Sequence, residues 1–249
     1  MLKMKLAFLF ALVAVSAAIA KDPPAPQHIF LLIGQSNMAG RAHLKEGDDQ
    51  PIEGVFLLND KGHWEAAKNP FNRYASNRKV LSMQRIGPGE GFVRRLKESL
   101  GDDSIAVIVN ARGGSKIEQW ATDAELYVNT MKRYRAAGSP KIAGVIWHQG
   151  EGNANDPDYF DKLVKLIAAL REDLKSPNLP FVAGQVFRDV PVNKHIARLR
   201  DEVEHADYVD VERLKVFDGV HFDRDSQLTL GRRYAEAYLK LIDANKAAP

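Results

Sequence analysis

Four short clusters in the chain hold the residue types that nucleophilic acyl transfer requires. That chemistry needs a hydroxyl nucleophile, an imidazole to take its proton, a carboxylate to orient the imidazole, and donors to hold the oxyanion. Ser36 stands in "LLIGQSNMAG", directly after an apolar run. There it can serve as nucleophile or as the N-cap of a following helix. Asp218 and His221 stand three residues apart in "VFDGVHFD". That spacing lets the carboxylate reach Nδ1 and leaves Nε2 facing outward, although a plain Asp-Gly turn with a surface histidine has the same letters. In "GVIWHQGEGNAND" an apolar run ends in His148-Gln149-Gly150-Glu151, offering the Gln149 amide for an oxyanion and Glu151 as a second carboxylate. "IVNARGGSKIEQW" ends another run at a Gly113-Gly114 turn, where a backbone N–H can point at a ligand.

Competing chemistries fit these letters less well. A nucleophile elbow reads G-x-S-x-G, with acid and histidine on separate loops; here residue 38 is Met and the acid and base are three apart. The seven histidines show no H-E-x-x-H or similar ligand spacing, so no metal site is read and no cofactor is implied. "GPGEG" (87–91) resembles a phosphate-binding loop, but it follows no strand and lacks Gly-Lys-Ser/Thr.

The elements that must carry these clusters follow from hydrophobic periodicity. Apolar, partly β-branched runs predict strands at 29–33, 55–58, 105–109, 142–147, 181–186 and 208–211. Helical patterns lie between several of them, at 92–100, 158–175, 196–206 and 226–243. Continuous apolar strands alternating with amphipathic helices predict an α/β fold with a mostly parallel sheet covered on both faces. Ligands in such sheets sit beyond the carboxyl ends of the strands, where the four clusters fall. The stretch 59–91 has no clean period and carries Gly, Asn and Pro breakers. Its aromatics Trp64, Phe71 and Tyr74 can form a platform for a sugar ring or pin the loop to the core.

Taken together and in order, "GQSNMAG", "NARGGS", "WHQGE" and "DGVH" resemble the SGNH-type hydrolases. The nearest likeness is to the sialate O-acetylesterase and acetyl xylan esterase branch, which includes carbohydrate esterase family 6. It spans Ile29 to about Tyr238. The resemblance implies a three-layer α/β/α, flavodoxin-like fold and metal-independent removal of acetyl groups from sugar hydroxyls. Carried over by position, it implies Ser36 as nucleophile, His221 as general base and Asp218 as the orienting acid. Some members of the branch use the HQGE glutamate instead, so Glu151 stands as an alternative or supplementary acid. The oxyanion donors would be the Ser36 and Gly114 N–H groups and the Gln149 side chain. Gln35, Asn37, His148 and Trp120 are candidate substrate contacts. The implied partner is an acetylated oligo- or polysaccharide. Two other readings stay open, an esterase of non-carbohydrate short acyl esters and a glycan-binding domain that has kept the fold without catalysis.

The N-terminus bounds the setting. Lys3 and Lys5 precede an apolar stretch ending Ala18-Ile19-Ala20, the grammar of a secretory signal peptide cleaved near Ala20. The stretch is too short for the roughly 20 residues that a spanning helix needs. Secretion or a periplasmic location is therefore expected, with residues 21–27 as an extended leader and 28–249 as one domain. The whole chain has 35 Lys+Arg against 32 Asp+Glu. Two lysines leave with the signal, and the near-neutral remainder gives no electrostatic support for nucleic-acid or anionic-membrane binding. Cysteine is absent, which removes both a disulfide framework and thiolate metal ligation.

Overall fold

The computed structural model describes residues 26–247. The signal-peptide reading and most of the leader lie outside the described residues. Seven strands form one sheet: β1 His28–Gly34, β2 Val55–Leu58, β3 Trp64–Ala66, β4 Ile105–Val109, β5 Ile142–His148, β6 Phe181–Gly184 and β7 Ala206–Val209. Their order is β3-β2-β4-β1-β5-β6-β7, parallel throughout except for β3, which runs antiparallel to β2. Setting aside the β2–β3 hairpin at one edge, the remaining strands stand in the order 2-1-3-4-5 of flavodoxin-like folds. Strand β1 is central, between β4 and β5, at the topological switch point where such folds form their crevice.

The strand sequences explain the layers. Side chains alternate across a strand, so Ile29, Leu31 and Ile33 enter one core while Phe30 and Leu32 enter the other. The first core is closed by α3 (Glu125–Ala136), α4 (Tyr159–Asp173) and α5 (Pro191–Ala197), through residues such as Met131, Leu163 and Ile196. The second is closed by α2 (Gly89–Leu100) and α7 (Arg224–Ala247), through Phe92, Leu96, Leu230 and Tyr234. Burying both faces is what makes the strand sequences apolar without alternation. The result is the three-layer α/β/α arrangement.

Several boundaries differ from the periodicity. The pattern at 196–206 reads as one helix, but the chain forms α5, then the single turn α6 (Leu199–Glu202), then enters β7 at Ala206. Pro191 starts α5 early, since its fixed φ suits the first helical turn. Strand β7 begins two residues before the expected 208, and β6 ends two before 186. The "GPGEG" stretch opens α2, and its glycines serve packing. A Cβ on Gly91 would collide with the Leu228 carbonyl and one on Gly231 with that of Pro88, so α2 and α7 cross backbone to backbone.

The irregular stretch 59–91 contains β3 and two short 3-10 turns, Phe71–Tyr74 and Leu81–Met83. Its aromatics pin it to the body. Phe71 is buried, Trp64 and Tyr74 pack partly buried against the two cores, and the Tyr74 hydroxyl bonds Glu65. No helix among the described residues is long and apolar enough to cross a membrane.

Candidate active site

Strand β1 ends at Gly34, which pairs with His148 at the end of β5. Gly34 has φ +139°, and a Cβ there would run into the His148 main chain. The close approach of β1 and β5 thus demands glycine, and the chain leaves β1 with the Gln35 N–H bonded to the His148 carbonyl at 2.8 Å. A four-residue helix, α1 (Ser36–Ala39), follows at once. Gln35 is its N-cap, without a side-chain capping bond, and Ser36 is its first helical residue. The hydroxyl is therefore not a cap, and the Ser36 N–H, as a first-turn donor, has no intrahelical partner.

The Ser36 Oγ lies 3.0 Å from His221 Nε2, across 185 residues of sequence. On the other side of the ring, Nδ1 lies 2.6 Å from Asp218 Oδ2. The same carboxylate accepts the His221 N–H at 2.8 Å and the Val220 N–H at 3.1 Å through Oδ1. The Asp-Gly turn with Gly219 at φ +83° folds the carboxylate back onto its own loop. Burial pushes Asp218 up, but the hydrogen bonds from the His221 ring and from the two amides outweigh it and hold the carboxyl below its ordinary value. Asp218 is the carboxylate that meets His221.

Glu151 sits elsewhere in the same cluster. Its Oε1 accepts the Asn37 amide at 2.7 Å, its Oε2 has no partner, and burial pushes its carboxyl up to about 7 against weaker opposition from hydrogen bonds. Asn37 is fully buried and cannot touch substrate. Its Nδ2 also donates to the Val220 carbonyl at 3.2 Å, while its Oδ1 accepts the Phe222 N–H at 3.1 Å and the Gln227 amide at 3.2 Å. Asn37 therefore ties the loop carrying His221 to the helix carrying Ser36.

Three other expected contacts are not brought to the cleft. Gln149 is fully buried, and its amide donates to the Ser115 carbonyl at 3.1 Å and to Asn153 Oδ1 at 2.9 Å. A carbonyl can only accept, so the amide nitrogen must face Ser115 and is spent there; Gln149 has no N–H left for an oxyanion. His148 is fully buried, its Nδ1 lies 2.7 Å from the Tyr234 hydroxyl, and burial pushes it down to about 3, which keeps it neutral. Trp120 is buried edge-on against Trp147, with its Nε1–H on Ser115 Oγ at 3.2 Å.

The cleft around Ser36 has a volume of about 460 Å³. Gln35 and Gly114, both expected at the site, line it together with Ser36 and His221. Gln35 Oε1 accepts the Gly152 N–H at 3.3 Å, and its amide nitrogen has no hydrogen-bond partner among the described residues. Gly113 lies against the nucleophile; a Cβ there would stand 3.6 Å from that of Ser36 and overlap the Arg41 guanidinium. Glu151 and Val220 also line it, and Arg41, Lys79, Met83 and Gly152 complete the lining; these last four carry no sequence signal, because nothing in their spacing links them to Ser36. Arg41 is held by the Gly40 carbonyl at 2.7 Å and the Met83 carbonyl at 3.0 Å. Burial, with a smaller push from Arg85, lowers its pKa. No group of three or more His, Asp or Glu that could hold a metal occurs among the described residues.

Comparison with known proteins agrees with this geometry at the level of family and fold. Residues 26–240 match the family described as carbohydrate esterase, sialic acid-specific acetylesterase. A probable carbohydrate esterase of Arabidopsis thaliana is 29% identical over 248 residues, covering 88% of this chain and 93% of that protein. Among solved structures, an Arabidopsis thaliana protein superposes with a TM-score of 0.77 at 27% identity, covering 86% of this chain and 98% of that one. NanS superposes with a TM-score of 0.69 at 18% identity, over 87% of this chain and 98% of its own. A carbohydrate acetylesterase from Xanthomonas citri gives 0.63 at 17% identity, over 87% and 57%. The last two, at such low identity, bear on the fold alone.

Proposed function

The chain belongs to the sialic acid-specific acetylesterase family of carbohydrate esterases, and on that footing we propose that it removes O-acetyl groups from sugars through an acetyl-serine intermediate. The observation that carries the reading is the unbroken relay from Ser36 Oγ through His221 to Asp218, at 3.0 and 2.6 Å. In the first step Ser36 Oγ attacks the acetyl carbonyl as His221 Nε2 takes its proton. Asp218 fixes the ring with its proton on Nδ1 and stabilises the imidazolium. The oxyanion is met by the N–H groups of Ser36 and Gly114, with the unpartnered Gln35 amide as the side-chain donor in place of Gln149. Collapse expels the sugar oxygen, which takes the proton from Nε2. A water activated by the same nitrogen then attacks the acetyl-serine and releases acetate.

Glu151 is outside this relay and acts through Asn37. The mature protein works outside the cytoplasm, after cleavage near Ala20, which N-terminal sequencing of the exported protein tests. The activity is tested by acetate release from a panel of acetylated glycans, alongside p-nitrophenyl acetate and butyrate. Release from glycans with preference for acetyl over butyryl supports the reading. Turnover of simple esters of any chain length, without release from any glycan, would move the protein to the non-carbohydrate esterases.

A further inference from the structure

Five large apolar side chains are exposed among the described residues; one of them lines the cleft and another stacks on a residue that does. They are Leu44, Val80, Leu81, Met83 and Phe217. Met83 lines the cleft itself, Leu81 belongs to the same turn, and Val80 follows the cleft residue Lys79 in sequence. Phe217 is 46% exposed, and its ring stacks on His221 with centroids 6.1 Å apart and planes at 28°. The His43 ring stands 5.8 Å from Phe217 and is hydrogen-bonded by Arg85, two residues beyond Met83. Leu44 adjoins His43. His43 and Arg85 thus link Phe217 to the chain segment that carries Met83. Exposed apolar groups scattered singly need no explanation, but a set gathered at the mouth of one cleft marks a binding surface.

The chemistry decides what occupies it. The nitrogen that takes the Ser36 proton must return it to the leaving oxygen, so that oxygen comes within about 3 Å of His221 Nε2. The group attached to it then lies on the His221 side of the cleft, where Phe217 stands, with Met83 of the Leu81–Met83 turn in the same lining. A pyranose carries a C–H face and a hydroxyl rim, and only the face gains by covering an aromatic ring. Resting on the esterase reading above, we propose that Phe217 and the Leu81–Met83 turn form the subsite for the sugar ring that leaves. The turn belongs to the 59–91 stretch, whose aromatics are committed to the core. The sugar platform is thus built from its aliphatic residues and from Phe217 on a distant loop.

The test compares kcat/KM on an acetylated methyl glycoside with that on ethyl acetate, which has no ring to stack. In F217A the ratio of the two should fall about tenfold, mainly through KM for the glycoside, for the loss of roughly half a buried aromatic side chain. F217W should regain it, and L81S should lower it further when combined with F217A. A fall of both substrates by the same factor would mean that Phe217 merely supports His221, and would overturn the subsite. An unchanged ratio would also overturn it, and self-association lost in F217A would then assign these exposed apolar residues to a second copy of the chain. Hydrolysis of neither ester by the wild type would remove the esterase reading itself, and the subsite with it.

Discussion

Replacing Glu151 by Gln should make the protein more stable at alkaline pH and not at acid pH. The carboxyl has 14% of its side-chain surface exposed, and its Oε2 finds no hydrogen-bond partner. Burial raises it from 4.5 to about 7. A folded-state value above the unfolded one means that the native protein binds the proton more tightly. The stability this contributes is complete below pH 4.5 and is lost as the pH rises through 7. A shift of this size corresponds to about 3 kcal/mol between the two limits. Gln keeps an oxygen to accept from Asn37 and never ionises. Urea unfolding of both proteins at pH 4 and pH 8 should therefore show their stability difference moving by about 3 kcal/mol in favour of Glu151→Gln at the higher pH. The change between the two pH values is diagnostic, because any cost of the new amide N–H₂ is the same at both. A difference that stays constant with pH, or moves the other way, would refute the claim that Glu151 is a buried carboxyl held by Asn37.

The same pair of carboxylates separates in kinetics. Asp218→Asn should lower kcat on p-nitrophenyl acetate by at least about a hundredfold, since an amide leaves the His221 ring in the wrong tautomer, whereas Glu151→Gln should stay within about tenfold. Equal losses from the two would contradict the assignment. Gln149→Ala should act on the fold: two buried hydrogen bonds vanish and leave the Ser115 carbonyl unpaired, for a cost of about 1–3 kcal/mol in unfolding free energy. A normal melting temperature with a specific loss of kcat would return Gln149 to the oxyanion.

Much of this arrangement is legible in the chain. The strands β1, β4 and β5 announce themselves as apolar runs, and the parallel-sheet rule places the residues after them at one edge. That is enough to bring Ser36, Gly114 and Glu151 together. Asp218 and His221 are legible as a pair because their contact is local, three residues apart. The misplaced residues share a different cause. His148, Gln149 and Trp120 lie near the right strand ends, but spacing does not say which way a side chain turns once the strand has stopped. His148 turns toward Tyr234 of α7 and Gln149 toward Ser115, both into the interior. Asn37 neighbours the nucleophile, yet its bonds are to groups 114 to 190 residues away, which local pattern cannot show. The short helix α1 hides a further point. Ser36 has the letters of a cap, and only the position of His221 shows where its hydroxyl goes.

The central claim is that Ser36 is an activated nucleophile served by His221. Its most direct test is labelling with a fluorophosphonate, read by intact mass and peptide mapping. One adduct is expected on Ser36 in the wild type, none in Ser36→Ala, and labelling slowed by at least about a hundredfold in His221→Ala with the fold retained. Adduct on another residue, or labelling of Ser36 at an undiminished rate without His221, would contradict it.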